Sequence, residues 1–186
     1  MARHLRAEDV FNYEETHRGI FNNIEANLIS VIREGFEENE LLQGLTPNTY
    51  INDNPKHLSL SFSDLPACCA WTDGKTGTVK TAGQGRSGKS HNEEESFYAN
   101  VEIVHSSIDE RDSRMDVKTI AAGLDQVLRE NSTLNGLFNA HCEIVESTVL
   151  PTNHIIDDRL EPVNCVTFRI IYRKTRKTVT ASHIRR

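Results

Sequence analysis

No stretch of this chain approaches the roughly 18 consecutive apolar residues of a membrane-crossing helix, so no such helix is expected. Met1 to Arg6 is basic and runs into the acidic, polar stretch Glu8–Glu15 without an apolar segment, which argues against a secretory leader. The Cys-x-x-Cys pattern is missing. The cysteines are Cys68, Cys69, Cys142 and Cys165, and no histidine stands at metal-finger spacing from them. They are expected to be small reduced core side chains, with Cys68 and Cys69 on opposite faces of a strand. No internal repeat is visible. Acidic residues are missing beyond Arg173, where Lys174, Arg176, Lys177, Arg185 and Arg186 follow.

What is present is the composition of a folded protein. A length of 186 residues suits one domain whose core folds without staples. Charged residues make up 26% and hydrophobic residues 37%, which excludes a disordered tail. The net charge of −6 is uneven, with carboxylates crowded into Glu8–Glu15, Glu34–Glu40 and Glu93–Glu95. An acidic chain is a poor DNA-binding domain. The basic end reads either as a contact for an acidic partner or DNA, or as a solvated, frayed terminus.

Periodicity gives the elements. Ile20, Phe21, Ile24, Leu28, Val31 and Ile32 line one face of a helix over Thr16–Arg33, with Gly35 as its stop. Leu58, Leu60 and Phe62 alternate with serines, so a strand is expected there, paired as a hairpin with Ala67–Trp71 through Asp64-Leu65-Pro66. Thr72–Glu95 is polar and glycine-rich and reads as a long mobile loop. Phe97, Ala99, Val101 and Ile103 share one face of the next strand. Ser113 and Asp116 resemble a capping box, and Val117, Ile120, Ala121, Leu124, Val127 and Leu128 form a second helical stripe that ends before Asn135-Gly136. Strands are expected over Ala140–Ser147 and Asn164–Arg173, separated by a loop, Thr148–Val163, with Pro151 and Pro162.

These readings sum to an α+β fold, a mixed and mainly antiparallel sheet of about five strands with two helices packed on one face. Residues 1–186 form one domain: an arm over 1–15, a core over 16–173 with the insertion 72–95, and a basic tail over 174–186.

Gly83-Gln84-Gly85-Arg86-Ser87-Gly88-Lys89-Ser90 fits the phosphate-loop pattern G-x-x-x-x-G-K-[ST]. That chemistry needs a buried strand before it and a helix N-terminus after it. Thr76–Ala82 is too polar for a buried strand, and Glu93, Glu94 and Glu95 follow where phosphates would lie. No nucleotide or other cofactor is therefore expected. The histidines, among them His57, His105, His141 and His154, are scattered beside different elements. A Cys/His dyad stays open, but no nucleophile stands in a recognisable turn. Asp157-Asp158 offers two carboxylates to a metal, although paired acids in a loop are usually solvated. No catalytic, cofactor-binding or metal residue is singled out.

The order of elements resembles the tail terminator, or tail completion, proteins of long-tailed bacteriophages. The resemblance is carried by the opening stripe Ile20-Ile24-Leu28-Val31, the strand Tyr98–Val104, the helix Val117–Arg129, the turn Leu134-Asn135-Gly136 and the closing Phe168-Arg169-Ile170-Ile171-Tyr172-Arg173. It covers about Thr16–Arg176 and is one of order rather than of a single motif. It differs from the usual pattern in the length of Thr72–Glu95 and of the basic tail. The resemblance implies a virion protein without catalysis, assembled in the host cytoplasm. It forms a homo-hexameric ring on the tail tube protein and then docks the neck or head-closure protein, with the tape measure protein a further candidate partner. DNA passes through the lumen without specific binding, and no membrane is involved. A neck or head-closure connector is the near alternative, and a small nucleotide enzyme built on Lys89 the distant one.

Overall fold

The computed structural model describes residues 7–82, 90–106, 110–138 and 142–179. In chain order these form α1 (Ala7–Glu38), β1 (Thr49–Ile51), β2 (Ala67–Ala82), β3 (Ser90–His105), α2 (Glu110–Glu130), β4 (Glu143–Ile156) and β5 (Arg159–Val179). One sheet runs in the order β1-β2-β3-β5-β4. The β1–β2 pair is parallel and the other pairs are antiparallel, so the fold is α+β with a mixed, mainly antiparallel five-stranded sheet. No described helix is long and apolar enough to cross a membrane.

The apolar stripes do what their spacing predicts. Ile24, Leu28, Val31, Ile32 and Phe36 of α1 and Ile120, Leu124, Val127 and Leu128 of α2 are buried in one cluster. The alternating sets Phe97-Ala99-Val101-Ile103 of β3 and Val166-Phe168-Ile170-Tyr172 of β5 belong to the same cluster. Two glycines leave room for α2 to approach α1 and the 3-10 turn Glu40–Leu42 that follows it. An added Cβ on Gly35 would stand 2.6 Å from Val127 Cγ1, and one on Gly123 would stand 2.5 Å from Leu42 Cδ2.

Several boundaries differ from the sequence reading. Gly35 does not stop α1, which continues to Glu38 and begins at Ala7, inside the expected arm. Ser113 and Asp116 do not cap α2, which starts at Glu110. Ser113 is buried and accepts a hydrogen bond from Asn164 Nδ2 at 3.0 Å, and Asp116 lies 2.9 Å from His105 Nε2. Leu58–Phe62 is not a hairpin strand: Leu60 makes a single parallel bridge to Ile156, and Phe62–Asp64 is a 3-10 turn. The parallel partner of β2 is instead Thr49–Ile51, inside the stretch read as a connection.

Both expected loops contain strands where they are described. Thr72–Ala82 continues β2 and Ser90–Glu95 opens β3, paired from Thr72↔Ala99 to Ala82↔His91 with register shifts between Thr72 and Thr78. Thr148–Ile156 continues β4 and Arg159–Val163 opens β5, joined at Asp157-Asp158. Both aspartates take left-handed backbone angles, φ 48° and 61°, as a tight two-residue hairpin turn requires. The basic tail is not frayed as far as Val179, because β5 pairs with β3 without interruption to Ser90↔Val179. The same register sets Glu95 opposite Lys174, an opposite-charge cross-strand pair.

Candidate functional site

Two regions stand out, one on the outward edges of the sheet and one beneath its second face. The first begins where the core ends. Phe138 stacks on Tyr172 at 4.9 Å between centroids, Phe97 lies 5.8 Å from Phe138, and Phe21 meets Phe97 edge-on at 6.0 Å. Glu25 of α1 fastens β2 beside these rings, accepting from Thr72 N at 2.9 Å and Thr72 Oγ1 at 2.8 Å. Past the rings, β2, β3 and β5 continue as a three-stranded extension to Ala82, Ser90 and Val179. At its base Arg173 bridges strands, 3.7 Å from Glu94 and 2.6 Å from Glu143.

The sheet has two unlike edges. β4 is an edge strand with β5 on its other side, and it exposes Val145, Leu150 and Ile155, with Leu160 following across the turn. On the opposite side β1 covers only Ala67–Cys69, so the rest of β2 is an edge too. A long edge with apolar side chains is a template for another strand unless it is blunted.

The second region lies where the β4–β5 hairpin turns back over the sheet. Glu102 is level with Thr167, and Thr167 with Thr148, so His154 starts six residues farther along β4, roughly 20 Å in an extended strand. Yet His154 Nε2 lies 2.7 Å from Glu102 Oε1. The hairpin therefore curls, and a second apolar cluster holds the curl down: Leu60, Leu65, Ala67, Val104, Ile156, Val163 and Cys165. Leu60 N donates to Ile155 O at 3.0 Å, and Asp157 N donates to Leu60 O at 2.7 Å.

Under this cover, single donor atoms of Glu102, His154 and Cys165 lie within 4.8 Å of one another, and all three residues are buried. A cavity of about 160 Å³ adjoins them, lined also by Lys56, Thr152 and Thr167. Burial first, and then the Glu102 charge and a hydrogen bond to it, push the Cys165 thiol well above the usual thiol range. Cys165 is thus a neutral thiol and not a poised nucleophile.

The residues singled out by motif fall elsewhere. Gly83–Lys89 lies outside the described residues, and its flanks Ala82 and His91 are paired antiparallel strands, whereas a phosphate loop leads into a helix. Asp157 and Asp158 shape the hairpin turn, and Asp158 accepts from Ser59 Oγ at 3.0 Å. His141 is outside the described residues. The described cysteines are free; Cys68, Cys69 and Cys165 are buried and Cys142 is half-buried. The convergence of Glu102, His154 and Cys165 left no signal in the sequence, because their spacing matches no motif and only the curl unites them. No protein-family profile matches the chain, and no curated protein matches it significantly.

Proposed function

We propose that this protein is a structural virion protein, a tail terminator that caps the completed tail tube of a long-tailed phage as a hexameric ring and presents the docking surface for the neck. The observation that carries the reading is the pair of unlike open edges, β4 on one side and the outer part of β2 on the other. A ring needs a heterologous contact, in which one surface of each subunit meets a different surface of the next and the rotation closes. Joining the β4 edge of one copy to the β2 edge of its neighbour supplies such a contact through backbone hydrogen bonds. The extension past Phe97 and Tyr172 is then free to reach the tail tube protein or the neck or head-closure protein. DNA passes through the lumen, and assembly takes place in the host cytoplasm.

The test is electron microscopy and mass measurement of the protein alone and on isolated tails. Six-fold rings at one tail end support the reading, and tails lacking the protein grow overlong or fail to join heads. Normal tail length and full infectivity without the protein would overturn it. A neck or head-closure connector shares the same edges and is distinguished by residing on filled heads before tails are added. Nucleotide chemistry at Lys89 has no comparable support, since a strand begins at Ser90. Calorimetry with magnesium-ATP or magnesium-GTP is expected to show no binding, and Lys89→Ala to leave assembly unchanged.

A further inference from the structure

We propose that Glu102, His154 and Cys165 form a binding site for a zinc-type divalent cation that fastens the curled β4–β5 hairpin to the sheet. Three unlike donors, a carboxylate, an imidazole and a sulfur, reach one point from β3, β4 and β5 with their ligand atoms within 4.8 Å of one another. In a tetrahedral site with bonds of about 2.0–2.3 Å, ligand atoms stand roughly 3.3–3.8 Å apart, between the 2.7 Å His154–Glu102 contact, which must open, and the 4.8 Å limit of the set. Carboxylate, imidazole and thiolate together are the donor types that zinc accepts and that magnesium or calcium, with their preference for oxygen, do not.

Charge supports the same ion. Glu102 is 6% exposed, and a buried carboxylate needs a compensating positive charge. One carboxylate and one thiolate neutralise a divalent ion, the thiol proton leaving to solvent as the metal binds. The adjoining cavity of about 160 Å³ has room for a water as the fourth ligand. His154 Nε2, now 2.7 Å from Glu102 Oε1, exchanges that contact for the metal. Packing accounts for Cys165, which belongs to the apolar cluster around Ile156 and Leu60, but not for a buried carboxylate and imidazole beside it.

The experiment uses the full chain, reduced and stripped with a chelator, titrated with cobalt(II) and then zinc. The expected result is a single cobalt per chain, with thiolate-to-metal charge transfer and the intense visible bands of tetrahedral coordination, displaced by zinc. Zinc is also expected to raise the melting temperature. Cys165→Ser should abolish the charge-transfer band, and Cys142→Ser, whose sulfur lies elsewhere, should retain it. Because Cys165→Ser can itself fold poorly, alkylation of the wild-type chain is followed by mass spectrometry. Zinc should slow modification of Cys165 and leave Cys142 unaffected. A folded wild-type chain that shows no charge transfer in excess cobalt, or Cys165 alkylation indifferent to zinc, overturns the proposal.

Discussion

Tyr50 and Cys68 are register partners across the β1–β2 pair, and both hold their protons more tightly than usual. Burial, with a smaller push from the neighbouring Cys68, raises Tyr50 from 10.0 to about 12. Burial also raises the Cys68 thiol from its ordinary 9.0. Below pH 9.0 the folded and unfolded chains both keep the Cys68 proton, and its contribution is intact. Above that, the unfolded chain ionises while the native one does not, so stability falls as pH rises, by up to about 1.4 kcal/mol per pH unit. Denaturant unfolding across about pH 8–10 should show this decline, and Cys68→Ala should lessen it by its own share while the buried thiols Cys69 and Cys165 keep the rest. Gly123 makes a separate prediction. Alanine is the better helix former by about 1 kcal/mol, but its Cβ would meet fully buried Leu42 at 2.5 Å. Overpacking costs roughly 1–3 kcal/mol, so Gly123→Ala should lower the melting temperature rather than raise it. Leu124→Ala or Phe168→Ala should each cost about 2–5 kcal/mol in chemical denaturation, as both side chains are fully buried. The burial of those two was legible in the spacing alone. The close approach at Gly123 was not, because its partner Leu42 lies in a different element.

At the scale of elements, the three-stranded extension is held by backbone pairing beyond the last aromatic side chains of the core. Replacing Gly77–Glu95 with an Asn-Gly turn removes the outer hairpin while keeping the Thr76↔Ser96 pair. Such a variant should lose only the extension's share of the strand signal in circular dichroism and melt within about 4 °C of the wild type, the shift that roughly 1 kcal/mol produces in a chain of this size. Tail-to-head joining should be lost. A larger fall in melting temperature would mean that the extension is part of the cooperative core. The prolines tell a related story. Pro151 and Pro162 suggested a loop, yet both lie in strands. Proline offers no N–H to a ladder and is tolerated where a strand lacks a second neighbour. Pro151 is on the edge strand β4, and Pro162 lies on β5 below His105↔Asn164, the last β3 pair at that end.

For the whole molecule, the two open edges are what the proposed ring would join. Val145 and Leu150 expose 50% and 59% of their surface on β4, which is apolar area that a lone monomer would leave in water. Charges on an edge strand block pairing with another chain. Val145→Lys with Leu150→Lys should therefore leave a folded monomer, by circular dichroism and sedimentation, that no longer forms rings on tails. Rings formed by this variant would place the subunit contact elsewhere.

The sequence by itself determined the parts whose folding is driven by burial. Apolar side chains recur at the period of their own element, so the stripes of α1 and α2 and the inner faces of β3 and β5 could be read without coordinates. Tertiary structure decided what backbone hydrogen bonds and long-range closure control. Thr72–Ala82 and Ser90–Glu95 have too few apolar residues to announce strands, and Pro151 and Pro162 disguise those in Thr148–Val163; both pair because neighbouring strands offer backbone donors and acceptors that take no account of side-chain polarity. Glu102 and His154 are 52 residues apart and meet only because the hairpin curls back over the sheet. That curl depends on Leu60 and Ile156, two aliphatic side chains whose partnership no local period encodes.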